Sequence, residues 1–268
     1  MSVKLFVTDL DGTLLPGGQQ VSAANIEAAQ AAVKAGVTVT IATGRMYKAA
    51  LPVAKALGVD VPIITYNGAL IKTVGGEVLY SSFLDPELVC RVVDFCRDRG
   101  WYLQTYSKDE LYYAEYDENA KAYEASQKIQ GHAVGWDGLK QHTDEVCKVL
   151  SVSSCAAETD ARIVELRAAF GDVIAPVRSN ANYAEIINAG VSKAAGIRNL
   201  ASRLAIAIED TMAIGDADND LPMLKAAGKA IAMGNAVPAV KAVCDYETTD
   251  CEADGFAAAI YRYVIPQD

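Results

Sequence analysis

Short apolar runs alternate with longer alanine-rich or amphipathic stretches at both ends of this chain, and nothing else in the sequence constrains the fold as tightly. Residues 4–8, centred on Leu5-Phe6-Val7, read as a strand halted by Asp9-Leu10-Asp11-Gly12. Ser22 can cap a helix that runs through an alanine-rich stretch to Lys34 and ends at Gly36. Residues 37–42 read as a second strand, 46–57 as a second helix and 62–66 as a third strand. Strands separated by helices of this length predict parallel βαβ units with right-handed crossovers. The same rhythm resumes at Ser192, with a helix to Leu204, a strand at 211–214 and a loop at 215–220. A helix over 221–226, a strand at 230–233, a helix around 238–243 and a terminal helix from Asp254 follow.

Between these blocks the periodicity changes. Residues 70–72 and 78–80, joined across Gly75-Gly76, read as a hairpin, and Asp85 caps a helix to about Arg99. Strands at 101–106 and 111–115 precede a polar helical stretch. A strand at 146–153, a helix at 159–169 and an antiparallel pair at 173–178 and 183–187 complete the block. The simplest organisation is an α/β core with a Rossmann-like parallel sheet, formed by residues 1–83 and 189–268. An α+β module, residues 84–188, is inserted into it. A chain of 268 residues has room for both.

Composition narrows the function classes. Hydrophobic residues at 51% and charged residues at 22% describe an ordinary globular protein rather than a disordered one. The formal net charge of −10 comes with no basic stripe, which argues against nucleic acid as a partner. It also repels phosphorylated molecules at long range, so any anion site must be built locally from lysine, metal and backbone N–H groups. No apolar run reaches membrane-spanning length, and the first residues lack the layout of a signal peptide, so a cytoplasmic protein with no membrane partner is expected. The six cysteines are dispersed without Cys-x-x-Cys spacing, which fits free thiols better than disulfides or zinc. His132 and His142 are too few for a histidine-rich metal centre. Oligomeric state is not legible.

Four segments carry chemistry. Asp9 and Asp11 sit at the carboxyl end of the first strand, where open parallel sheets bind ligands, and alternation would put both on one side of an extended segment. The alternative is a solvated acidic turn. Thr43-Gly44-Arg45 follows the second strand and opens a helix, where a hydroxyl and N–H groups can hold a phosphate or merely cap the helix. Lys193 lies at a helix start, a position that disfavours cations unless carboxylates or an anion supply a local reason. Asp216, Asp218 and Asp220 crowd one loop and would repel one another without a cation. Magnesium suits such a set better than calcium, because the bidentate glutamate of a calcium loop is replaced by Ala226 and Ala227.

These segments read Leu5-Phe6-Val7-Thr8-Asp9-Leu10-Asp11-Gly12-Thr13, Thr40-Ile41-Ala42-Thr43-Gly44-Arg45, Gly190-Val191-Ser192-Lys193 and Ala213-Ile214-Gly215-Asp216-Ala217-Asp218-Asn219-Asp220. Together they resemble the haloacid dehalogenase superfamily, specifically its Cof-type, C2B-capped branch (subfamily IIB) of sugar-phosphate phosphatases. Tyr66-Asn67-Gly68-Ala69 also looks like that branch. The resemblance spans essentially the whole chain. It implies a Mg²⁺-dependent phosphatase acting on a small phosphorylated metabolite through an aspartyl-phosphate. By that analogy Asp9 is the nucleophile, Asp11 the general acid/base and Lys193 a third catalytic residue. Leu10, Thr43, Gly44, Lys193 and Asn219 would bind phosphate. Asp9, Asp11 and Asp216 would ligate the metal, with Asp220 in support. The inserted module would be the C2B cap, which recognises substrate. Arg45, Glu185 and Asn188 are candidate substrate contacts. A phosphosugar mutase and a non-catalytic phosphometabolite sensor are the rival readings.

Overall fold

The computed structural model describes residues 3–18, 20–58 and 60–265. Contacts divide the chain into two compact units, Met1–Arg45, Ala50–Tyr80 and Ser192–Asp268 in the first, Met46–Ala49 and Ser81–Val191 in the second.

The first unit is built on a five-stranded sheet in the order Tyr246–Glu247, Lys229–Ala232, Thr211–Gly215, Leu5–Thr8, Thr38–Ile41, all parallel. Leu5–Thr8 is buried along its whole length, which is why it reads as an unbroken apolar run rather than an alternating one. Register aligns Thr8 with Ile214 on one side and Ile41 on the other. The residues that follow these three strands, Asp9, Asp216 and Ala42-Thr43, therefore emerge together at the carboxyl ends of the strands. Ser22 caps the Ala23–Lys34 helix by accepting from Asn25 N–H, and Ser192 caps Lys193–Arg203 by accepting from Ala195 N–H.

The third strand departs from the expected parallel order. Ile63–Thr65 pairs antiparallel with Leu70–Lys72, and Val78–Ser81 completes a separate three-stranded sheet. A single parallel bridge between Ala42 and Ile64 joins it to the main sheet's edge. The cause is local: Tyr66 and Asn67 take positive φ (51° and 55°), turning the chain back so that the strand pairs with its own continuation.

The second unit carries a six-stranded sheet in the order Ile174–Asn180, Tyr183–Asn188, Lys148–Val152, Tyr102–Ser107, Glu110–Tyr113, Gly131–Ala133. All neighbours are antiparallel except the last pair. Asp85 caps the Pro86–Arg97 helix, whose Leu88, Val89, Val92 and Cys96 pack with Leu103, Val149, Leu166 and Ile186. In this unit the sequence reading missed the Gly131–Ala133 strand and the Gly135–Leu139 helix. Both are short and glycine-bearing, so neither displays a period. All six cysteines are free. His142 stacks on Tyr112 at 4.1 Å and His132 lies 5.3 Å from the same ring. Among the described residues no helix is long and apolar enough to cross a membrane.

Candidate active site

The chain does not stay extended past Asp9. It curls so that Leu10 C=O accepts from the N–H groups of Thr13, Leu14 and Leu15, while the Leu10 side chain is fully buried. The two aspartates thus meet different surroundings. Asp9 is buried and accepts from Lys193 Nζ at 2.5 Å. Asp11 is half-exposed and gripped by Arg45, whose Nε and Nη2 donate to its two oxygens at 2.8 and 2.5 Å. Arg45, anticipated as a substrate contact, makes a bidentate fork on Asp11.

Lys193 has the local reason its helix position demands. Its ammonium donates to Asp9 and, at 2.6 Å, to Asp220, with all three side chains buried. The second Asp220 oxygen accepts from Asp216 N–H and Ala217 N–H, each at 3.0 Å. Asp220 is therefore committed to holding the loop and the lysine. Asp216 is oriented by Thr13 Oγ1, which donates to it at 2.7 Å. Gly12, at φ +82°, lies so close that a Cβ there would overlap Asp216 Oδ2. Asn235 fastens this turn from outside, donating to Gly12 C=O and accepting from Cys251 N–H, both at 2.8 Å.

Electrostatics follow from the burial. Desolvation, then Asp220, push the Asp9 carboxyl well above its ordinary value, against the pull of Lys193. Burial and Asp220 likewise push Asp216 up to about 6, with Thr13 and Lys193 opposing. Burial alone would lower the Lys193 ammonium, but Asp220 and Asp9 outweigh it and hold it above its ordinary value. One oxygen from each of Asp9, Asp216 and Asp220 lies within 4.8 Å of the others. Three carboxylates face one ammonium, and the donors that Lys193 and the loop N–H groups leave over are all oxygen. A hard divalent cation fits this donor set.

Thr43 is buried beside this cluster's edge of the sheet, but the helix that follows begins only at Tyr47. Thr43 and Gly44 thus occupy a bend rather than a helix N-terminus. Thr43 Oγ1 accepts from Arg45 N–H at 3.1 Å, which leaves its O–H available as a donor. Asn219 Nδ2 donates to Asn67 Oδ1 at 3.4 Å. In the second unit, Glu185 is buried and accepts from Lys148 Nζ at 2.7 Å. Asn188 donates to Ser82 Oγ and Phe83 C=O at 3.2 and 3.1 Å, so its amide laces the two linker segments together.

Sequence reasoning passed over Thr13, Asn67 and Asn235 as site residues. Thr13 and Asn67 stand inside quoted motifs, but their partners lie 203 and 152 positions away. Asn235 carries no local signal beyond Gly234-Asn235, an ordinary turn pair.

Comparison with known proteins places this geometry among relatives. The family profile described as haloacid dehalogenase-like hydrolase matches residues 6–260. A 5-amino-6-(5-phospho-D-ribitylamino)uracil phosphatase of Bacillus subtilis is 30% identical, with 97% of each chain covered. A haloacid dehalogenase-like hydrolase from Bacteroides thetaiotaomicron superposes with a TM-score of 0.88 at 31% identity, covering 97% of this chain and 99% of the other. A HAD subclass IIB sugar phosphatase superposes with a TM-score of 0.86 at 27% identity, covering 98% and 100%.

Proposed function

The chain belongs to the haloacid dehalogenase-like hydrolase family and is a phosphatase, and from that premise we propose that it hydrolyses small sugar phosphates with Mg²⁺ and an Asp9 nucleophile. The observation that carries the reading is the buried Lys193 ammonium bridging Asp9 and Asp220 at the edge of a parallel sheet. The ammonium pulls Asp9 toward the carboxylate, against burial and Asp220, and restrains it through one oxygen while leaving the other to attack.

Asp9 attacks phosphorus, the ester P–O bond breaks, and Asp11, once released from the Arg45 fork that occupies both its oxygens, gives a proton to the leaving oxygen. Water then attacks the phosphorus of the aspartyl-phosphate, Asp11 accepts its proton, and inorganic phosphate departs with Asp9 restored. Thr43, Gly44, Lys193 and Asn219 hold the phosphoryl oxygens, with the Leu10 backbone beside them. Asp9, Asp216 and the Asp11 carbonyl would hold Mg²⁺, and Asp220 orients both Lys193 and the Asp216 loop. When bound, Mg²⁺ neutralises the charge that would keep a phosphate dianion away from Asp9. The inserted unit acts as the cap and supplies substrate recognition. Sugar phosphates come first because one relative acts on a phosphoribityl compound and a structural neighbour is a sugar phosphatase.

The test is an Asp9→Asn variant assayed beside the parent on an aryl phosphate and a panel of sugar phosphates with Mg²⁺. Turnover falls by at least about 10³-fold, the order expected for a lost nucleophile, with circular dichroism unchanged. Free phosphate appears without a bisphosphate activator, which separates hydrolysis from mutase chemistry. Full turnover by the variant, with deamidation excluded, would end the mechanism. A preference for nucleotides over sugar phosphates would end the substrate assignment alone.

A further inference from the structure

The Tyr66-Asn67-Gly68 turn is absorbed by none of the roles above, yet it touches three of the segments that hold phosphate. Asn67 N–H donates to Thr43 C=O at 2.9 Å, and Tyr66 N–H donates to Arg45 C=O at 3.0 Å. The turn thereby fixes the bend from both sides of Gly44. Gly68, at φ +103°, packs so tightly on the start of the Lys193–Arg203 helix that a Cβ would overlap Ser192 C=O. Asn67 Oδ1 accepts from Asn219 Nδ2 at 3.4 Å, a long contact made inside a buried setting where Asn67 is 3% exposed.

The backbone here is one the sequence must maintain against its own preferences. Tyr66 and Asn67 are consecutive non-glycine residues at positive φ, both buried. Such strain persists where surrounding structure over-determines it, and it concentrates at functional sites. Asparagine tolerates this conformation, but glycine tolerates it better, so conformation alone does not account for a carboxamide at position 67. The contact with Asn219 does. An anion can take only the N–H end of a carboxamide, which offers two N–H groups there and none at the oxygen. An acceptor oxygen beside Asn219 selects the rotamer in which one N–H is held and the second is presented outward.

We infer that Asn67 is a positioning residue of the phosphate cradle, setting the Asn219 carboxamide through its side chain and the Thr43–Arg45 bend through its backbone. The inference rests on the phosphatase reading in which Thr43 and Asn219 bind the phosphoryl group. Asn67 acts through these residues and not on the reacting atoms.

The experiment is a double-mutant cycle of Asn67→Gly and Asn219→Ala in the full-length enzyme, read with inorganic phosphate as a competitive inhibitor of aryl phosphate hydrolysis in Mg²⁺. Glycine keeps the left-handed turn and deletes only the carboxamide. Should that variant fail to fold, Asn67→Ala, strained but equally without the carboxamide, replaces it in the cycle. Asn67→Gly weakens phosphate binding by about threefold to tenfold, the range of one net hydrogen bond. KM rises in parallel and kcat changes by less than about twofold, as for an interaction made equally in ground and transition states. Asn219→Ala weakens binding comparably, and the double variant is no weaker than the worse single one. An Asn67→Gly enzyme that binds phosphate like the parent, or losses that multiply in the double variant, overturns the inference while leaving the phosphatase reading intact. If Asn219→Ala itself leaves phosphate affinity unchanged, the assignment of Asn219 to phosphate falls, and the inference with it.

Discussion

Replacing Lys193 by methionine tests the electrostatic centre of the site directly, because methionine keeps most of the side-chain volume and removes only the ammonium. In the parent, Nζ lies 2.5 Å from Asp9 and 2.6 Å from Asp220, and all three groups are buried. Deleting one member of such a cluster strands the opposite charges, at a cost of about 3–5 kcal/mol. For a structural unit of this size each kcal/mol moves the melting temperature by roughly 2–4 °C, so a fall of about 6–20 °C is expected in EDTA. The pH dependence has a definite sign. Burial and Asp220 raise Asp9 even in the parent, and losing the ammonium raises it further. A carboxyl whose folded pKa exceeds its unfolded value favours the folded state at low pH and loses that contribution as pH rises through the folded value. The deficit of the variant is therefore larger at pH 8 than at pH 5. Mg²⁺ recovers more melting temperature in the variant than in the parent, since it becomes the sole cation for three carboxylates. Activity falls by at least about 10²–10³-fold, as when a preorganised donor to the reacting group is removed. The assay is thermal denaturation across pH 5–8 with EDTA or Mg²⁺. A variant melting within about 2 °C of the parent at pH 8 in EDTA, or a deficit that grows toward low pH, would refute the claim that Lys193 compensates buried carboxylates.

Gly12→Ala places a methyl group against Asp216 Oδ2 on a backbone at φ +82°. Destabilisation of about 1–3 kcal/mol and a roughly 10–100-fold loss of Mg²⁺ affinity by calorimetry are expected, and wild-type affinity would show that Asp216 is free to move. Asp216 is raised to about 6 by burial and Asp220, so Mg²⁺ must displace its proton at lower pH. Affinity measured by calorimetry falls by about tenfold per pH unit below that value for the Asp216 proton, and more steeply where the raised Asp9 carboxyl must also lose its own. An affinity constant from pH 5 to 8 would remove Asp216 from the cation site.

Legibility in this sequence tracked whether the cause of a feature lay near it in the chain. Leu5–Thr8 was readable because burial on both faces leaves an unbroken apolar run. Ser22, Asp85 and Ser192 were readable because the side chain that marks each helix start also makes the capping bond. The partner of Ile63–Thr65 was not, since its choice depended on positive φ at Tyr66 and Asn67, and asparagine before glycine is only a general turn signal. The short strand at Gly131–Ala133 failed for want of length. The same division runs through the site. Asp9, Lys193 and Asp216 each stand at a strand end or helix start, so their neighbourhood announced them. What those residues touch was set by register, which brings chain segments together only in three dimensions. Asp11 and Arg45 appeared as two separate candidates and proved to be one ion pair. The chemistry belongs to that second layer. Burial, then the neighbouring Asp220, pushes Asp9 and Asp216 upward, and Lys193 is tolerated at a helix start because both Asp9 and Asp220 meet it. A chain with net charge −10 repels phosphate over most of its surface. Attraction must then come from the few N–H and O–H donors and the buried Lys193 ammonium that this register gathers at the carboxyl ends of the strands, and from any cation held there. Moving any of those strands by one residue would retain every motif and lose the site.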